Sequence, residues 1–167
     1  MEFRTTLFGL AILALCIYIF VLLKRSRKNK EKILINQLQV LATGQAAQVE
    51  AHELGLDFGL GIDETNRYLF YTRDQKIGFT NKVIDLVAVK NCTVAIQKRQ
   101  VGKEAYMDKV SLIFHPEPGK AQERIILFDS ESTALPNGEP LMAKRWAERV
   151  NELLKDAKSG STFRVAG

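Results

Sequence analysis

Hydrophobic patterning divides the chain into three regimes. From Leu7 to Leu23 (LFGLAILALCIYIFVLL) seventeen residues carry no charge, nineteen with Thr5 and Thr6. Nineteen residues rise roughly 28 Å as a helix, close to a bilayer core of about 30 Å. A buried core helix of this length would keep a polar face, and this run has none. The pattern predicts a single N-terminal transmembrane helix, with residues 1–23 as the anchor.

The second regime, residues 24–53, reads as a basic juxtamembrane segment and helical linker. Leu34, Leu38 and Leu41 fall at i, i+4 and i+7, one face of a helix that packs on the following domain. Gly44 weakens the helix and Ala46–Leu54 (AAQVEAHEL) resumes it.

The third regime, residues 54–158, is a domain of short strands closed by a helix. Gly55, Gly59 and Gly61 break helical continuity, and strands are expected at Leu60–Asp63 and Arg67–Thr72 around the turn Glu64-Thr65-Asn66. Further strands are expected at Lys76–Thr80, Val83–Val89, Cys92–Gln100, Asp108–His115 and Glu123–Phe128, with Pro116-Glu117-Pro118-Gly119 turning between the last two. Met142, Trp146, Val150, Leu153 and Ala157 then share one helical face, with Pro140 suited to its first turn and Gly160 to its stop. Residues 159–167 read as a flexible tail. The fold class is α+β, a curled antiparallel sheet of six or seven strands capped by a C-terminal amphipathic helix.

Charge refines the picture. The formal net charge is +5. Lys24, Arg25, Arg27, Lys28, Lys30 and Lys32 against Glu31 account for all of it, so residues 33–167 are neutral overall. The domain therefore lacks the positive field of a nucleic-acid binder. Six basic residues follow the apolar run and one precedes it. That asymmetry places the N-terminus outside and the domain in the cytoplasm, with the six basic residues at the membrane surface. It also argues against a cleaved signal peptide. Leu15 before Cys16 argues against a lipoprotein signal, and the sequon Asn91-Cys92-Thr93 would stay unmodified on the cytoplasmic side.

Candidate chemistry is sparse. No nucleophile-elbow, zinc-protease or phosphate-loop motif occurs, and two Cys and two His give no metal spacing. Cys92 reads as a buried small apolar residue, His115 as a strand-end residue and Asp63 as a turn acid. The reading is no catalytic residue, no metal and no cofactor. Lys98, Arg99 and Lys103, flanked by Lys90, form a basic cluster suited to lipid or partner contact.

Gly61-Ile62-Asp63-Glu64 turning into Arg67–Thr72, the segment Val83–Val89 (VIDLVAV), and the Ile125–Phe128 strand before Lys144–Leu154 (KRWAERVNELL) carry a resemblance. The chain resembles bacterial pleckstrin-homology-like (PH-like) proteins with a single N-terminal membrane anchor, over about two-thirds of its length. The resemblance implies a curled seven-stranded barrel capped by a helix, at the bacterial inner membrane. Lipid-binding members place basic residues in the first strand-to-strand loop. Here Glu64-Thr65-Asn66-Arg67 holds one acid and one base, a departure from that pattern.

The expectation is a membrane-tethered, non-catalytic binding or scaffold module with a protein partner. An anionic-lipid-contacting module and an accessory subunit of a larger membrane complex stand as alternatives. The sequence leaves oligomeric state open.

Overall fold

The structure, a computed structural model, describes residues 2–75, 77–102, 104–119, 121–132, 136 and 138–162. Helix α1 spans Glu2–Thr43. Seven strands follow: β1 (Ala51–Leu54), β2 (Phe58–Asp63), β3 (Tyr68–Gln75), β4 (Gly78–Asp85), β5 (Val89–Val101), β6 (Glu104–Pro116) and β7 (Glu123–Asp129). Helix α2 spans Glu139–Thr162. The protein is α+β with two antiparallel sheets, ordered β1-β2-β3-β4 and β5-β6-β7, rather than one curled sheet.

The chain changes sheet at a 3-10 turn, Leu86–Ala88, where the Asp85 carboxylate accepts the Val87 N–H at 2.9 Å. This turn divides the continuous strand expected over Val83–Val89. The strands expected separately at Lys76–Thr80 and Val83–Val89 share one continuous β4, Gly78–Asp85, and Lys76 lies outside the described residues.

Hydrophobic burial explains the layering. Phe58, Leu60 and Ile62 alternate along β2 and face an inner core shared by both sheets and α2. Leu112, Phe114, Ile125 and Leu127 enter it from the second sheet, and Met142, Trp146, Val150 and Leu154 from the helix. The other face of β2 is buried as well, because the C-terminal half of α1 lies on it. Leu38, Ala42, Ala47 and Phe70 form this second, smaller core. The alternating glycines of β2 make the approach of α1 feasible. A Cβ on Gly59 would stand 3.1 Å from Leu38 Cδ1, and one on Gly61 would stand 3.0 Å from Val49 Cγ1. These glycines, read in the sequence as helix breakers, admit a helix onto the sheet.

The linker expectation is met in part. Leu34 and Leu38 are buried and Leu41 is half-buried, as the stripe implied. The resumed helix over Ala46–Leu54 is absent: the chain enters β1, pairing Glu53 with Leu60 and Leu54 with Gly59. At the other end α2 passes through Gly160 to Thr162, so the helix extends into the expected tail. Residues 163–167 lie outside the described residues.

The membrane anchor is corrected. Among the described residues, no helix is long and apolar enough to cross a membrane. Helix α1 runs without a break through Lys24–Lys32 onto the first sheet. The finding overturns the single-pass transmembrane helix, and with it the inner-membrane location and the orientation drawn from it.

Candidate partner-binding edge

Among the described residues, two open sheets present four edge strands, β1, β4, β5 and β7. An unpaired edge carries a row of backbone donors and acceptors, so each edge is a candidate for pairing with another chain.

The edge of β7 is bridged to the first sheet. Lys82 Nζ donates to the Arg124 carbonyl at 3.0 Å and to Glu123 at 3.2 Å. Tyr71 donates its hydroxyl to the Ile126 carbonyl at 2.7 Å, and Arg73 Nη1 donates to the same carbonyl at 3.3 Å. Arg73 is buried and uses its other nitrogens on Asp57 (Nε, 2.9 Å) and Ser132 (Nη2, 3.0 Å). Burial works against the Arg73 charge, but Tyr71 and Asp57 outweigh it and hold its pKa above the ordinary value. Burial pushes the Tyr71 phenol up to about 12, against the pull of Arg73. A cavity of about 700 Å³ opens beside this brace, lined among others by Asp57, Asp74, Asp129 and Glu131. With all three nitrogens engaged, Arg73 holds the sheets together rather than offering donors to a ligand.

The short β1 edge is held by α2. Trp146 Nε1 donates to Glu53 Oε2 at 2.8 Å, and Arg145 pairs with the other oxygen of the same carboxylate. Arg149 pairs with Glu64 at 2.6 Å in the β2–β3 turn and stacks over the Trp146 ring.

Strand β5 differs along its length. At Cys92 the edge is covered: the backbone N–H donates to Asn151 Oδ1 at 2.8 Å, and Asn151 Nδ2 donates to the Cys92 carbonyl at 2.8 Å. The side-chain amide of α2 thus takes the place of a neighbouring strand. Because both groups of Cys92 point away from β6, those of Ile96 and Lys98 point the same way by the twofold alternation of a strand. Among the described residues, no hydrogen bond reaches them there. From Ile96 to Gln100 every residue is exposed, as are Glu104 to Tyr106 opposite. The β5–β6 hairpin therefore projects from the body with an open edge.

Lys98 and Arg99, identified in the sequence as a contact cluster, both lie on this projecting part. Lys98 pairs across the ladder with Met107 and Arg99 with Tyr106. Arg99 also approaches Asp108 at 3.9 Å while 64 % exposed. Lys103 lies outside the described residues. Lys90 sits at the other end of the strand, past Asn151, where it lines a separate small cavity with Leu154. Lys24, Arg25, Arg27, Lys28, Lys30 and Lys32 are exposed on α1, far along the chain from this edge. Arg27 pairs with Glu31 one turn on at 3.5 Å, and Lys30 lines the cavity beside Arg73. The structure brings Lys98 and Arg99 together and leaves the α1 cluster separate.

The residues singled out for chemistry are each occupied structurally. Asp63 is buried and accepts from the N–H groups of Gln48 (2.8 Å) and Asn66 (2.7 Å) and from the Asn66 side chain (2.9 Å). Burial pushes its pKa up, but these donors, with the Thr65 N–H, outweigh it and hold the carboxyl below its ordinary value. Cys92 is buried, and burial pushes its thiol up to about 12. His115 Nε2 lies 2.8 Å from Thr93 Oγ1 across the ladder. Among the described residues, no group of three His, Cys, Asp or Glu side chains could hold a metal ion.

Asn151 carried no sequence signal. An Asn between Val150 and Glu152 on a helix looks like any polar-face residue. Only the placement of α2 against β5 shows its purpose. Compared with protein-family models, with curated proteins and with solved structures, the chain finds no match in any of the three.

Proposed function

We propose that the protein is a non-catalytic binding module that captures an extended segment of a partner protein by strand addition to the Ile96–Gln100 edge of β5. The open, projecting edge carries this reading. Strand addition uses backbone hydrogen bonds for affinity and alternate side chains for selectivity. Lys82 of β4 bridges to the β7 edge, Tyr71 and Arg73 tie β7 to β3, and β1 is held by α2. The engagement of Asp63, Cys92 and His115 in structural contacts supports a role without catalysis. Two antiparallel sheets with a closing helix also support a PH-like membership, a fold class that hosts many unrelated functions.

The test uses Ile96→Pro. The Ile96 N–H points to the open side, so proline removes a free donor without breaking the β5–β6 ladder. Peptides selected from a displayed random library on the immobilised full chain are expected to lose binding to the folded I96P variant. Selected peptides that bind both chains equally would sink the proposal.

A further inference from the structure

We infer that the segment this edge selects is acidic, with two adjacent carboxylates and an apolar residue two positions from the nearer of them. The inference rests on the strand-addition reading above. Strand β5 carries Lys90, Lys98 and Arg99 and no acidic residue over thirteen positions. Successive side chains of a strand point to opposite faces. Ile96 and Lys98 therefore share one face of the hairpin, and Arg99 lies on the other with Tyr106 opposite. An added strand places consecutive residues beside Lys98 and Arg99 and an apolar one beside the exposed Ile96. Directly opposed opposite charges attract and like charges repel across strands. A second copy of this chain would bring Lys98 and Arg99 against the same edge, so the charge that invites an acidic partner discourages edge-to-edge self-pairing.

Asn151 limits how far the segment reaches. A paired strand needs 4.7–4.9 Å beside β5. At Cys92 the helix is already close enough for a short Asn side chain to bond the backbone at 2.8 Å. No strand fits between them, so pairing ends short of Cys92 and is confined to the projecting half of β5.

The probes are three short β-branched peptides identical except for a central Glu pair, Gln pair or Lys pair. Their binding to the full chain is read by titration and by amide protection at Ile96. The Glu peptide is expected to bind about fivefold to tenfold tighter than the Gln peptide at low salt, an advantage that shrinks in high salt. The double variant Lys98→Glu, Arg99→Glu is expected to prefer the Lys peptide. Equal protection of Ile96 by all three peptides would overturn the charge inference and leave the edge reading standing. Binding of the Glu peptide without protection of Ile96, or no binding by any of the three, would overturn both.

Discussion

Asn151→Ala isolates the contact that seats α2 on β5. The substitution removes two hydrogen bonds, both 2.8 Å long, from the backbone of a residue only 2 % exposed. Each bond contributes roughly 0.5–1.5 kcal/mol net, about 1–3 kcal/mol for the pair. Alanine is the better helix former and returns about 0.5 kcal/mol. The balance is a loss of about 0.5–2.5 kcal/mol, equivalent to a drop of roughly 1–10 °C in Tm for a chain of this size. Trp146 is the sole tryptophan, is buried, and lies just over one helical turn from Asn151, so its fluorescence reports the transition directly. Urea denaturation should show a lower midpoint with an unchanged slope. Glu152→Ala, at an exposed neighbouring position, serves as the control and should stay within about 0.5 kcal/mol of the parent. Asn151→Asp should destabilise as well, because a carboxylate oxygen would then face the Cys92 carbonyl. An Asn151→Ala midpoint equal to that of Glu152→Ala would refute the argument that this amide stands in for a strand.

Other expectations follow from the same contacts. Arg73→Met should lower stability by about 2–3 kcal/mol, toward the low end for a broken buried pair because Asp57 remains 26 % exposed to water; thermal unfolding checks it. Asp63 has a folded pKa below the ordinary carboxylate value, so its stabilisation is present above that ordinary value and is lost as pH falls through the folded pKa. Urea midpoints followed from about pH 6 to about pH 2 should therefore show a smaller acid loss in Asp63→Asn than in the parent. Iodoacetamide at mildly alkaline pH should label Cys16 in the folded chain and reach Cys92 only in denaturant, since Cys16 is exposed and the Cys92 thiol is pushed up to about 12.

Where local pattern and tertiary packing agree, the fold was legible. The stripe of Met142, Trp146 and Val150 is buried as its spacing implied, and Asp63 closes the turn that its neighbours announced. Strand β1 was hidden because Ala51-His52-Glu53-Leu54 contains no β-branched residue and follows a run of helix formers. Its strand state comes from pairing with β2 and from the grip of Trp146 and Arg145 on Glu53, both long-range contacts. The split into two sheets rests on a three-residue turn inside an apolar run, where strand propensity is uninformative. Of the site, Lys98 and Arg99 were visible as charge. The openness of their edge was not, because it depends on which edges Lys82, Arg73 and Asn151 cover.

Amide hydrogen exchange along β5 of the free chain shows whether the Ile96–Gln100 edge is open. Slow exchange is expected at Cys92, held by Asn151, and at Thr93, Ala95 and Gln97, held by β6. Fast exchange is expected at Ile96 and Lys98, slowing when the Glu peptide is added. Uniformly slow exchange from Cys92 to Lys98 in the free chain would show an edge already covered and would rule out strand addition there.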